Sequence, residues 1–236
     1  MRDGNDPKPD LGNASVGKET IVFFYILGFP QDFFNWRSIM KKKEVFNLSF
    51  SAIFLSFAVV IEVIFKVVPG FPNGGGVSLA MLPLAIISIV CGWKYGVVAG
   101  LAYGVIDCFC LDGYGFNPFS FVLDYVLAFA SLGIVGVFRE KILSGSKGYF
   151  ILGLVLAGLL RWTFSGFSGV INANVWGYDS VFLEGIFGQG NGSTIWLYIY
   201  SFLYYNLPYI SVSIALCIIV GLLLQKHIIK ISEQEK

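Results

Sequence analysis

Apolar residues along this chain come in long runs, and polar residues collect in the gaps between them. From about Phe46 the runs cover roughly 46–68, 77–92, 95–111, 117–138, 149–173 and 194–225. A helix needs ~20 mainly apolar residues to cross ~30 Å of hydrocarbon, and each run is near that length, the second and third being short. The pattern predicts an all-α membrane protein, a six-helix transmembrane bundle. The last run contains Pro208, which predicts a kink, because proline removes a backbone donor and clashes with the preceding turn. Residues 44–230 are read as the membrane domain, 1–43 as an N-terminal extension and 231–236 as a cytoplasmic tail.

The extension follows a different pattern. Residues 1 to about 19 are rich in Gly, Pro, Asp and Asn, which predicts disorder. Ile21–Phe29 is apolar but is ended by Pro30, too soon to span a bilayer. With Phe33, Phe34 and Trp36 it suits an interfacial segment. It lacks the basic start and small-residue cleavage site of a signal peptide. Met40-Lys-Lys-Lys43 reads as a bacterial start followed directly by a span. Residues 1–39 are therefore expected to be dispensable or to reflect an upstream start.

Charge orients the runs. Lys41, Lys42 and Lys43 precede the first, and Lys94 lies between the second and third. Arg139, Lys141 and Lys147 lie between the fourth and fifth, and Lys226 and Lys230 follow the sixth. The alternate loops, about 69–76, 112–116 and 174–193, contain no Lys or Arg. The positive-inside rule then puts both termini in the cytoplasm. Only Lys66 sits near an outer end, where its side chain can snorkel.

Composition narrows the function. The chain is 56% hydrophobic and 13% charged, with mean hydropathy +0.74, whereas soluble domains carry about 25% charged residues. It is expected in the bacterial plasma membrane. A net charge of +1 offers no basic surface for nucleic acid. Cys91, Cys108, Cys110 and Cys217 lie in apolar runs without CxxC spacing and read as small buried hydrophobes. The one histidine, His227, lies in the tail, which excludes a Ser-His arrangement or a histidine metal site within the membrane. There is no P-loop for ATP. No cofactor or metal is expected.

The loops without basic residues are turn-forming and aromatic. Pro69-Gly-Phe-Pro-Asn-Gly-Gly-Gly76 is one, and the last holds Trp176, Tyr178, Asp179, Phe182, Glu184 and Phe187. They are either a lid over an outward-facing site or plain connectors. Gly96, Gly100 and Gly104 form a doubled GxxxG, and Ala52 and Ser56 a small-xxx-small pair. Such residues let helices approach closely, and both packing within the chain and a groove for a partner protein remain open.

Four ionisable residues fall inside the runs: Glu62, Asp107, Asp124 and Arg161. A charge there costs at least ~2.5–3.5 kcal/mol, so each is a functional candidate. Glu62 has Lys66 at i+4. Arg161 and one aspartate suit a structural pair. Asp107 and Asp124 would also allow an aspartyl dyad, which no flanking sequence supports. Asp124 lies deepest and is followed by Tyr125, so it is favoured for ligand contact. Thr163, Ser165 and Ser168 add hydroxyls, and Tyr200, Ser201, Tyr204, Tyr205 and Asn206 a polar, aromatic band. A carboxylate, an amide and several aromatics from different spans suit a flat, nitrogen-rich cation.

Several stretches carry a resemblance. Gly74-Gly-Gly-Val-Ser-Leu-Ala-Met-Leu-Pro83, Tyr103-Gly104 and Val122-Leu-Asp-Tyr-Val-Leu-Ala-Phe129 resemble the thiamine-specific S-component of energy-coupling factor (ECF) vitamin transporters. So do Arg161-Trp-Thr-Phe-Ser-Gly-Phe-Ser-Gly-Val-Ile171 and Tyr200-Ser-Phe-Leu-Tyr-Tyr-Asn206. The likeness covers roughly residues 45–230. It implies a membrane subunit without enzymatic activity that binds thiamine from outside. Its implied partners are a transmembrane coupling protein and two cytoplasmic ATPases. By the resemblance, Asp124 and Tyr125 bind the ligand's aminopyrimidine, and Asn206, Ser165, Tyr200, Trp176 and Tyr103 complete the expected substrate contacts. Ala52 and Ser56 would dock on the coupling protein. The chain departs from the pattern at four places. Ser165 stands where the family has a ligand-contacting histidine. The aromatic expected after that motif falls on Ala173, leaving Trp176 as substitute. The tyrosine before the asparagine falls on Ser201, with Tyr200 one step away. A first-loop tryptophan of some members falls on Gly74. A thiamine precursor or another small heteroaromatic is the alternative substrate, and a membrane scaffold whose buried charges pair with each other is the alternative class.

Overall fold

The structure is a computed structural model that describes residues 42–71, 75–112 and 117–234; the expectations for residues 1–39 and Gly74 lie outside these. The chain falls into two units, Met1–Val45 and Phe46–Lys236. Of the first, only the opening turn of a helix belongs to the described residues. Every element among the described residues is helical. In chain order these are α1 (Lys42–Phe65), α2 (Met81–Cys91), α3 (Trp93–Leu111), α4 (Pro118–Leu143) and α5 (Lys147–Ile171), the short α6 (Ala173–Trp176) and α7 (Ser180–Phe187), and α8 (Thr194–Glu233). Five of them, α1, α3, α4, α5 and α8, are long and apolar enough to cross a membrane.

The second apolar run is helical over only 11 residues, about 16 Å at 1.5 Å per residue. All of α2 is buried, so it is an internal core helix wrapped by its neighbours. Gly92 joins it directly to α3 with φ +102°. The space around a Cβ there is open, so the positive φ alone calls for glycine. The buried C-terminal end of α2 leaves backbone carbonyls without partners of their own. Arg139 of α4 supplies donors, Nε to the carbonyl of Ile89 at 2.9 Å and Nη2 to that of Val90 at 2.7 Å, and its charge also suits the helix dipole.

The doubled GxxxG of α3 is used inside the chain. A Cβ on Gly96 would lie 1.8 Å from Ser88 Oγ of α2. On Gly100 and Gly104 it would lie 2.3 Å and 2.4 Å from the carbonyl oxygens of Phe129 and Tyr125 in α4. Gly133 and Gly136 return the approach from α4, against Val97 and Ser88. The three backbones therefore nearly touch, and Leu84, Ile87, Leu132, Val135, Phe150 and Leu154 fill the core around them. The helix α1 is the least embedded, with 11% of its apolar window buried against 39% in α3, α4 and α5.

The long helices are not uniform. Asp107–Asp112, Phe121–Leu127 and Tyr200–Asn206 are π-helical, and Ser131–Phe138 is a 3₁₀ segment. Pro208, where a kink is expected, comes two residues after the π-helical stretch that ends at Asn206. Such wide turns accommodate a disrupted backbone ladder and recur at functional sites.

Candidate substrate-binding site

The C-terminal ends of α1, α3 and α5 meet the N-terminal parts of α4 and α8 around a cavity of about 720 Å³. This is within the range of small-molecule sites. Of the residues expected to contact substrate, Asp124 and Tyr125 of α4, Ser165 of α5, Trp176 of α6 and Asn206 of α8 line it. Of the three acids in the lining, Asp107 and Asp124 lie in π-helical segments, as does the amide at Asn206, whereas Glu62 lies on α1.

Tyr103 and Tyr200 stand one layer behind the wall. Tyr103 is fully buried, packs edge-on against Phe129 at 4.5 Å and donates its hydroxyl to Glu62 Oε2 at 3.3 Å. Tyr200 is buried and packs edge-on against Tyr178 at 4.8 Å. The wall also contains Tyr205 of the expected aromatic band, Tyr178 of the aromatic loop, and Tyr209, which the sequence pattern does not single out, together with Glu62, Lys66 and Arg161. The signal for Tyr209 was its spacing: it lies three residues after Asn206, and its hydroxyl donates to Asn206 Oδ1 at 2.7 Å.

Asp124 is held by a relay. Ser168 Oγ donates to Asp124 Oδ2, and Asn172 Nδ2 donates to the Ser168 carbonyl at 2.9 Å and to Ser168 Oγ at 3.3 Å. Both relay residues are buried at the end of α5, so the carboxylate is oriented before any ligand arrives. Arg161 sits with its guanidinium 4.4 Å over the Phe129 ring, a cation–π geometry. Its Nε is buried with no hydrogen-bond partner among the described residues. Glu62, Asp107 and Asp124 against Lys66 and Arg161 leave the lining with one carboxyl group in excess.

The first loop forms another wall. Gly75 has φ +76°, and a Cβ there would lie 2.3 Å from the Tyr209 ring. Both conditions require glycine. Ser78 Oγ donates to Glu62 Oε2, and the Ser78 amide donates to Ser213 Oγ at 3.1 Å. The loop is thus fastened to α1 and α8. Across from it, burial first, and Tyr205 next, push the Tyr178 phenol well above its ordinary pKa, so it stays protonated and able to donate.

Fold and cavity together define a helical membrane protein that takes a small molecule into a polar, aromatic chamber at one end of its bundle. The chain belongs to the family described as "Thiamine transporter protein (Thia_YuaJ)", which matches residues 48–233. It is 32% identical to the thiamine transporter ThiT of Bacillus subtilis over 192 residues, 78% of this chain and 92% of that one. The pantothenic acid transporter PanT of Lactococcus lactis is 27% identical over 151 residues, 61% of this chain and 76% of that one. A solved structure of ThiT from Listeria monocytogenes superposes with TM-score 0.62 at 22% identity, over 79% of this chain and 96% of that chain. The last match shows a shared fold. These relatives are transporters rather than enzymes, and the family and the apolar helices make this chain a multi-pass membrane protein.

Proposed function

We propose that this protein is the substrate-binding S-component of an ECF-type importer and captures thiamine at Asp124. One observation carries the reading: a pre-oriented carboxylate faces a cavity large enough for a whole heteroaromatic ligand. A carboxylate accepts from an exocyclic amino group through a strong, charge-assisted bond. Tyr125, Trp176, Tyr178 and Tyr205 supply ring faces, and the excess carboxyl group offsets one cationic ring. Ser165, in the place of the family's histidine, keeps a hydroxyl on the wall.

The same reading sets the topology. Glu62 at the end of α1 and Asp107 near the end of α3 both line the cavity, so the chain between these helices must return across the bundle. The buried α2, about 16 Å long, is the element between them, and with its flanking residues it is read as that return, the sixth crossing. Both termini are then cytoplasmic and the cavity opens outward. Residues 44–230 form the membrane domain of the subunit.

The test is thermal unfolding of the detergent-purified chain. Thiamine at a hundredfold excess over its Kd stabilises by about 2.7 kcal/mol, a shift of several degrees. An equal shift with a pyrimidine precursor moves the assignment to that precursor. A shift with pantothenate alone overturns it, and no shift with any vitamin favours a scaffold.

The partners are a transmembrane coupling protein and two ATPases, docked through α1. Ala52 and Ser56 are exposed, and Ser56 Oγ bonds back to the Ala52 carbonyl at 2.9 Å. The patch is therefore smooth and needs no polar partner in lipid. Ala52→Trp is expected to keep thiamine binding while losing co-purification with the coupling complex. Unchanged co-purification would move the docking face elsewhere.

A further inference from the structure

Beside the main cavity lies a second, open cleft of about 290 Å³, under α6, α7 and the start of α8. Asn174, Asp179, Ser180, Ser193 and Thr194 give it a polar lining. A single residue, Tyr178, lines both spaces. We propose that the cleft is a staging site for a cationic heterocycle and that the Tyr178 side chain is the door through which it passes to Asp124. The inference rests on the outward orientation and small-molecule binding proposed above.

The backbone around the door is fixed on both sides. Gly177 closes α6 with φ +73°, and the Tyr178 amide donates to the Ala173 carbonyl at 2.8 Å. On the other side Asp179 caps α7, its Oδ1 accepting from the Phe182 amide at 2.8 Å. The side chain, by contrast, is held by other rings and by one hydrogen bond between its hydroxyl and that of Tyr200. It stacks on Phe182 at 5.2 Å and meets Tyr200 edge-on at 4.8 Å and Trp176 at 5.9 Å. Aromatic contacts of this kind are worth only ~0.5–1.5 kcal/mol each beyond burial, and a side-chain rotation re-forms some of them. The first loop is the competing entrance. Opening it would break Ser78–Glu62 and Ser78–Ser213 and lift Gly75 off Tyr209, several bonds at once. Turning one side chain is the smaller step. The volumes agree: the cleft is just below the size of a complete ligand site and suits one ring system, whereas the main cavity holds a whole molecule.

The experiment uses the full chain in detergent. Thiamine association and dissociation are followed by fluorescence, with Trp176 in the cavity wall as reporter, and Kd is measured separately by calorimetry. Ser180→Trp fills the cleft without touching the main cavity. It is expected to slow association and dissociation alike, by about tenfold, with Kd changed less than about threefold. Tyr178→Ala is expected to quicken both rates. Thr194→Trp plugs the opposite wall and decides the matter should Ser180→Trp fail to fold. Unchanged rates in both plugged variants overturn the door and place entry at the first loop. Loss of equilibrium affinity in both makes the cleft part of the binding site and also overturns it. A wild type that binds pantothenate instead of thiamine overturns the thiamine reading alone, and the same rates are then read with pantothenate. A wild type that binds neither overturns both.

Discussion

Asp124→Ala protein is expected to bind thiamine at least about 30-fold more weakly than the parent and to melt no lower. Truncating one side of a buried, charge-assisted pair costs about 2–5 kcal/mol, and each 1.4 kcal/mol is tenfold in Kd. The stability half of the result separates ligand chemistry from structure. A carboxylate inside an apolar bundle is itself unfavourable, so its removal relieves a cost in the empty protein. The Ser168 hydroxyl that donates to it sits in the last turn of α5 and has the carbonyl four residues earlier as an alternative acceptor. Asp124→Asn sharpens the contrast. It keeps the size and one acceptor but turns the other oxygen into a donor, which opposes an amino group on the ligand. Binding is expected to fall at least about tenfold, the cost of a lost and partly reversed hydrogen bond. A scaffold would behave in the opposite way: Asp124→Asn would lower the melting temperature, and no vitamin would raise it. Calorimetry and thermal unfolding on the same preparations distinguish the two.

The second large effect is expected from one methyl group on the backbone that carries the site. In Gly104→Ala the new Cβ would lie 2.4 Å from the Tyr125 carbonyl oxygen and 3.1 Å from the Val126 nitrogen. These are backbone atoms, so the helix must move rather than a rotamer. Overpacking of this kind costs about 1–3 kcal/mol. The displaced stretch is the π-helical segment that carries Asp124 and Tyr125. Binding constellations need placement within about 0.5 Å, so thiamine affinity should drop together with stability. Gly148→Ala is the control. Nothing lies within 4 Å of a Cβ there, and alanine is the better helix former, so it is expected to be neutral or slightly stabilising. A Gly104→Ala protein that binds as tightly as the parent would show that the α3–α4 approach does not set the site.

The spanning helices were legible because an apolar run of bilayer length suits little besides a membrane crossing. The second run was legible as short, but not the full burial of its helix α2. Residues 77–92 are continuously apolar, and a buried core helix and a span look alike in such a run. The GxxxG spacing showed which face of α3 is flat, but not its neighbour; Ser88, Phe129 and Tyr125 are 8, 29 and 21 residues from their facing glycines at 96, 100 and 104. In the cavity, Asp124 stood out as a charge in an apolar run. Ser165, Trp176 and Asn206 came from the resemblance and do line the wall. Tyr205, in the aromatic band, and Tyr178, in the aromatic loop, were visible only as part of those groups, and Tyr209 stayed hidden because tyrosines near span ends usually mark only the membrane interface. Tyr103 and Tyr200 recede one layer, a placement that depends on helix turns without a compositional signature.

Those turns bear on how such a protein changes over time. Each π-helical stretch holds an additional residue without breaking the helix. Deleting one amino acid there would therefore tighten the coil locally and leave the far end in its seat. Residues near the altered turn would swing by about 100°, one step of an ordinary α-helix. The stretch Tyr200–Asn206 is where the tyrosine of the family pattern lies one position away. Single-residue gains and losses at such places offer a lineage a way to re-aim individual side chains into the chamber, and so to retune its vitamin, while the surrounding bundle stays as it was.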